Sequence, residues 1–214
     1  MYYLKKIKHL LKYYLSILKN DSFVEYQSFP FDPMQKMPLG AEIIMKKYSN
    51  ILKSLDINYR ISDGTILGIY RAGEFIAHDN DIDIELLGDD KAMEIDKIFK
   101  EEGMTLGRKA IYNGKIQQLV YYTPDYIIFD MVIWHLNSKD GKIYNYSERD
   151  YKRVQDAKFF QKDKLELVEF EGEKYPMPTP VEEWLEMRYG KDWKTPKTYK
   201  GDWKEECFDM KRID

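Results

Sequence analysis

The residues best suited to chemistry are the acids of His78-Asp79-Asn80-Asp81-Ile82-Asp83-Ile84-Glu85. In an extended chain alternate side chains share a face, so Asp79, Asp81, Asp83 and Glu85 point the same way if the strand begins early enough to include Asp79. A row of like charges is costly to bury, and a divalent cation removes that cost. Mg²⁺, or Mn²⁺ as the alternative ion, binds through carboxylate oxygens together with phosphate oxygens. Asp81 and Asp83 are the expected ligands, with Asp79 in support; without an ion the same pattern reads as a solvated acidic strand.

A second segment supplies what a phosphate needs. Asp63-Gly64-Thr65-Ile66-Leu67-Gly68 follows a predicted strand and opens a predicted helix. Helix N-termini offer backbone N–H groups and a partial positive charge to anions. Gly64, Gly68 and Arg71 recur at one-turn intervals and share a face, so Arg71 can reach the phosphate that Gly64 and Thr65 would cradle. The plainer alternative is a glycine-broken helix with a surface arginine. Asp130 lies in the otherwise apolar run Tyr126-Ile127-Ile128-Phe129-Asp130-Met131-Val132-Ile133-Trp134, where a carboxylate needs a metal or a cationic partner. On a strand beside Asp81 and Asp83 it would complete a three-carboxylate centre. His78 and His135 are proton carriers by type, and hydrogen-bonding wall residues by the commoner alternative.

The elements that must position these groups follow from periodicity. Residues 39–55 predict a helix, 58–62 a short strand, and 65–72 a helix ended by Gly73. Residues 81–87 alternate acidic and apolar side chains as a strand. Asp89 is the expected N-cap of a helix over 90–102. Strands over 104–112, 115–123 and 126–136 follow, and Pro180 opens a helix over 181–189. The connector, residues 20–38, is rich in proline and aromatics and is read as irregular. The class is α+β.

At this point the sequence resembles the LicD/fukutin-type transferases. Asp63-Gly64-Thr65-Ile66-Leu67-Gly68-Ile69-Tyr70-Arg71-Ala72-Gly73-Glu74-Phe75-Ile76, then Asp79-Asn80-Asp81-Ile82-Asp83-Ile84, is similar to that family's G-T-L-L-G-x-x-R-x-G-x-F-I-x-x-D-x-D-h-D, where h is apolar. A closing block, Phe170-Glu171-Gly172 and Pro178, then Trp184 to Trp193 with Tyr189-Gly190, and Pro196, agrees as well. His78 stands where bacterial members usually carry tryptophan, and Asn80 replaces the middle acid of a common D-D-D run; Asn80 has the wrong parity for the acidic face.

The resemblance implies a nucleotidyltransferase-like mixed β-sheet core flanked by helices, over residues 39–214, preceded by an amphipathic helix and connector over 1–38. It implies transfer of phosphocholine, ribitol phosphate or a similar phospho-alcohol from a CDP-linked donor to a glycan or lipid-linked glycan of a cell-surface polysaccharide. Asp81 and Asp83 would hold Mg²⁺ against the diphosphate, and Gly64, Thr65 and Arg71 would grip its oxygens. Asp130 would complete the metal centre or take the acceptor hydroxyl's proton. Two rivals remain at this level: transfer of a nucleoside monophosphate from a triphosphate, and an inactive scaffold.

Composition bounds the partners and the compartment. A formal net charge of −3 argues against a nucleic-acid-coating protein. Cys207 is the only cysteine, which excludes a disulfide framework and fits a reducing, cytoplasmic setting. The 18 tyrosines suit sugar or nucleotide surfaces, and equally half-buried strands. Trp184, Tyr189 and Trp193 are expected to lock the last helix to the core rather than to stack on a ligand. In residues 1–20, Leu4, Ile7, Leu11, Leu15 and Leu18 recur at helical spacing beside Lys5, Lys8, Lys12 and Lys19. The favoured expectation is that this helix docks on its own domain or on a second copy; the alternative is peripheral contact with an anionic membrane at the inner face.

Overall fold

The computed structural model describes residues 2–197, Lys204 and residues 207–213, with side chains from Ile7 onward. Nine of its strands join in one sheet, which runs β1 (Phe23–Gln27), β4 (Thr105–Tyr112), β5 (Lys115–Tyr122), β6 (Ile128–Asn137), β7 (Lys142–Glu148), β8 (Tyr151–Asp156) and β11 (Met210–Arg212), with β2 (Tyr59–Ile61) and β3 (Asp81–Leu87) attached through β6. The pairing of β3 with β6 is parallel and the others are antiparallel, so the sheet is mixed. A small hairpin, β9 (Glu166–Phe170) and β10 (Glu173–Met177), stands apart from it. Helices α2 (Ala41–Ser54), α3 (Asp63–Ala72), α4 (Ala92–Glu101) and α5 (Val181–Tyr189) complete the α+β architecture.

Strand β3 is the centre of the arrangement, and its sequence explains why. Ile82, Ile84 and Leu86 alternate with the acids and are 0–2% exposed, so the apolar parity is committed to the core. That core also takes Met45, Tyr48 and Leu52 from α2, Ile95 and Phe99 from α4, and Trp184 and Leu185 from α5. The acidic parity is thereby forced to the opposite face. The parallel register sets Asp83 directly opposite Asp130 of β6.

Several sequence expectations are corrected. Residues 23–27, read as part of an irregular connector, form the edge strand β1 against β4. The N-cap of α4 is Lys91; Asp89 instead accepts a hydrogen bond from the backbone N–H of Ile116 at 3.0 Å, tying the start of β5 to the turn before the helix. Strands β7, β8, β9, β10 and β11 were not expected at all.

Helix α1 (Tyr2–Leu18) packs beside β1 and turns most of its apolar side chains outward. Ser16 is buried, and Tyr13 meets Tyr26 of β1 with ring centroids 6.0 Å apart. Ile7, Leu11, Tyr14, Leu15 and Leu18 are all exposed.

Candidate active site

Strand β3 begins at Asp81, so Asp79 reaches the acidic face from the turn before it, and that face divides into two halves with opposite electrostatics. At its C-terminal half Glu85 is fully buried and paired with an equally buried Arg60, whose Nε donates to Glu85 Oε2 at 2.7 Å. Arg60 also donates to the Phe159 carbonyl and to Gln155 Oε1. Beside this pair, Arg153 of β8 donates two bonds to the Asp63 carboxylate, at 2.9 and 3.0 Å, and a third from Nε to Asp209 at 3.0 Å. Arg188 of α5 adds a bond to Asp63 at 2.6 Å. Burial opposes the charge on Asp63, but Arg153 and Arg188 hold its carboxyl well below the usual range. Three arginines therefore meet Asp63, Glu85 and Asp209.

Nothing comparable reaches the other half. Asp79, Asp81 and Asp83 each present an oxygen such that all three atoms lie within 4.8 Å of one another. No lysine or arginine among the described residues forms an ion pair with them. Burial raises the Asp81 carboxyl well above its ordinary value, and the charges of Asp79, Asp130 and Asp63 raise it further. Asp83 is raised by burial and then by Asp81, Asp63 and Asp79. Asp79 is raised by burial, with the Asn80 N–H opposing.

The residues present fit a hard dication. Oδ2 of Asp79 is buried and has no hydrogen-bond partner, which strands an acceptor in a low-dielectric place. A Cβ at Gly64 would lie 2.3 Å from that oxygen and 3.3 Å from Oδ2 of Asp83, so only glycine lets the start of α3 sit against the acids. The donor set is all carboxylate oxygen, the chemistry Mg²⁺ and Mn²⁺ accept.

Thr65 and Gly68 each hold a neighbouring element in place. The Thr65 N–H donates to Asp83 Oδ2 at 3.2 Å, and its Oγ1 accepts from the Asp83 N–H at 2.7 Å. Thr65 therefore fixes Asp83. At Gly68 a Cβ would meet the Glu74 carbonyl oxygen at 2.5 Å and the Ile76 nitrogen at 2.9 Å, so the residue admits the loop that leads into β3. Because both obstacles are backbone, Gly68→Ala is expected to cost about 1–3 kcal/mol of stability, read as a lower melting temperature in calorimetry. Arg71 carries no acidic partner among the described residues; its Nη1 lies 3.5 Å from the Trp193 carbonyl.

Asp130 of β6 sits opposite Asp83 in register but outside the close trio of Asp79, Asp81 and Asp83, so the expected grouping of Asp81, Asp83 and Asp130 is replaced by one that takes Asp79 instead. The Gln118 Nε2 donates to both oxygens of Asp130 at 2.7 Å, while Gln118 Oε1 accepts from Arg108. Burial moves the Asp130 carboxyl up to about 6 against the opposing pull of Gln118 and Arg108. His135, five residues further along β6, has the other parity, and its Nε2 lies 2.9 Å from the Ile116 carbonyl, away from the acidic face. His78 is exposed beside Asp79, whose carboxyl it influences. Asn80 turns away from the acids, as its parity requires, and donates to the Pro33 carbonyl. Trp184 is fully buried and donates to Gln155, and Trp193 is 7% exposed, so both are core residues. Tyr189 is half-buried under Arg188, 4.9 Å from its ring, and senses the charge of Asp83.

A model of the LicD/FKTN/FKRP nucleotidyltransferase domain matches residues 56–182. The chain belongs to the LicD/FKTN/FKRP family. Ribitol-5-phosphate transferase FKTN of Macaca fascicularis is 27% identical over 199 residues, covering 86% of this chain and 38% of that protein. The Homo sapiens protein of the same name is 27% identical over 179 residues, covering 77% of this chain and 35% of its own length. The chain thus spans less than two fifths of the curated relatives it matches. Among solved structures, lincomycin-bound lincosamide antibiotic adenylyltransferase LnuA is similar with a TM-score of 0.48 and 13% identity, over 71% of this chain and 86% of that one. The stretch matched to the LicD/FKTN/FKRP domain holds Asp63, the Asp79–Asp83 cluster, Asp130 and Arg153; Arg188 and Asp209 lie beyond it.

Proposed function

We propose that this LicD/FKTN/FKRP domain, residues 39–214 with β1 supplied by the preceding segment, transfers a phospho-alcohol from a CDP-linked donor to a glycan or lipid-linked glycan. The observation that carries the reading is the contrast along β3 and the turn that leads into it: Glu85, like its neighbours Asp63 and Asp209, meets arginines, while Asp79, Asp81 and Asp83 have no arginine or lysine ion-pair partner among the described residues. Uncompensated, partly buried carboxylates are retained where a bound ion completes them. The name of the relatives supports ribitol phosphate as one candidate group, with phosphocholine as another.

In this reading Asp79, Asp81 and Asp83 would hold Mg²⁺ or Mn²⁺, which when bound neutralises the charge of the donor diphosphate. Thr65 keeps Asp83 aimed from two sides, its N–H donating to the carboxylate and its hydroxyl oxygen accepting from the Asp83 backbone N–H. Gly64 clears the space beside Asp79. Arg71, free of acidic partners among the described residues, grips a phosphate oxygen. Asp130, oriented by Gln118, accepts the proton of the acceptor hydroxyl at a carboxylate oxygen. Phosphoryl transfer needs little beyond such positioning and charge compensation.

The decisive experiment offers the protein Mg²⁺ with CDP-ribitol, CDP-choline, CDP-glycerol and nucleoside triphosphates in turn, with acceptor glycans. Release of CMP that disappears in Asp81→Ala is the expected result. Pyrophosphate release from a triphosphate, with every CDP-linked donor untouched, would replace this reading with nucleoside monophosphate transfer. Asp130→Asn separates the two roles open to that residue. As a proton acceptor its loss lowers turnover by about 10²–10⁴-fold and leaves the Mg²⁺-induced rise in melting temperature intact. Were that rise to vanish too, Asp130 would be a ligand.

A further inference from the structure

We propose that α1 is a membrane-surface element that lays its apolar stripe into an anionic lipid bilayer, and that Lys8, Lys12, Lys19 and Arg149 set the preference for negative headgroups. At 3.6 residues per turn, Ile7, Leu11, Tyr14, Leu15 and Leu18 form one continuous stripe. Tyr13 and Ser16, which hold the helix to the domain, lie on the opposite side. The domain has therefore taken the polar side of the helix and turned the greasy one outward: Ile7 is 54% exposed, Leu11 59%, Leu15 53% and Leu18 79%. Scattered exposed leucines need no explanation, but a contiguous stripe on one helix does.

Charge decides what covers it. Lys8, Lys12 and Lys19 share one flank of the stripe, and Arg149, from the turn between β7 and β8, lines the same groove, with Asp21 the one acid among the described lining residues. A lysine stem can follow an apolar surface while its ammonium reaches a phosphate, so apolar and basic groups side by side suit a headgroup boundary. A second copy of the chain packed stripe to stripe would bring these cations together. No helix among the described residues is long and apolar enough to cross a bilayer, so contact is with the surface.

The test uses the full chain and sedimentation with two kinds of vesicle, zwitterionic phosphatidylcholine alone and the same lipid with an anionic phosphatidylglycerol fraction. Binding to the anionic vesicles at low salt is expected, falling at least about tenfold on pure phosphatidylcholine or at high salt. Leu11→Asp with Leu15→Asp should abolish it without altering the melting temperature, since both side chains are exposed. Should that variant misfold, Lys12→Glu with Lys19→Glu provides a charge-only version with the same expected loss. Equal binding to both vesicles, or to neither, overturns the proposal. So does a dimer in light scattering that dissociates in Leu11→Asp with Leu15→Asp while vesicles are ignored, which would assign the stripe to a second copy.

Discussion

Asp81→Asn yields a protein that has lost about 10³-fold or more of its activity and yet melts above the wild type in metal-free buffer. The two effects share a cause. Asp81 is pushed well above its ordinary value first by burial and then by Asp79, Asp130 and Asp63, so without an ion its negative charge opposes folding. A neutral amide of the same shape removes that repulsion, worth about 1–2 kcal/mol after discounting for the site's open side. For a chain of this size that is a rise of about 2–8 °C.

The sign with pH follows from the raised carboxyls. A group that holds its proton more tightly when folded stabilises the fold below its ordinary value and loses that contribution as pH rises through the raised one. Asp130, at about 6, marks one such value. Metal-free wild type should therefore gain stability between about pH 7.5 and 5, and Asp81→Asn should gain less. Mg²⁺ reverses the ranking: at a hundredfold excess over its dissociation constant it adds about 2.7 kcal/mol to the wild type and much less to the variant. Melting curves in chelator and in Mg²⁺ check this. A variant that melts below the wild type in chelator, or an equal Mg²⁺ gain in both proteins, removes the basis for the metal centre.

Arg153→Met is the most damaging substitution expected outside that centre. Its guanidinium is 4% exposed, bonded to Asp63 twice and to Asp209, with Glu85 at 3.6 Å and the Trp134 ring beneath it at 5.1 Å. Methionine fills the volume but leaves these carboxylates short of a cation, and a buried pair broken from one side costs about 3–5 kcal/mol. The melting temperature should fall by roughly 6–20 °C. The pH sign here is opposite to that of Asp79, Asp81, Asp83 and Asp130. Asp63, held down by Arg153 and Arg188 against the upward push of burial, adds stability above its ordinary value that disappears as pH drops toward the lowered one. Acid unfolding should consequently begin at a higher pH in the variant. A melting temperature within a degree or two of wild type would mean the network contributes little.

How far the sequence revealed this site depends on whether a residue's partner is encoded nearby. The acids of β3 were legible because alternation with Ile82, Ile84 and Leu86 is written in consecutive residues. The glycine-threonine start of α3 was legible for the same reason, although the part played by Thr65 was not: its partner Asp83 lies on another element. Arg153, Arg188 and Asp209 could not be foreseen, since nothing in their neighbours signals a shared buried network. The β7–β8 hairpin escaped notice because its inward positions are mostly polar: Asn145, Ser147, Arg153 and Gln155 are all buried alongside Ile143. Hydrophobic periodicity is blind to such strands. Strand β1 was hidden among prolines and aromatics, and its placement depends on β4, far along the chain.

The same-direction run of β3 beside β6 has a consequence for how the molecule matures. Asp79, Asp81 and Asp83 are near neighbours in sequence, whereas Asp130 reaches them only after the chain has travelled through α4, β4 and β5. Same-direction strands have no tight hairpin to start them, and distant pairings close late. On the proposed function, a half-formed chain would then hold its ion before Asp130 arrives, and loading and competence would be successive stages.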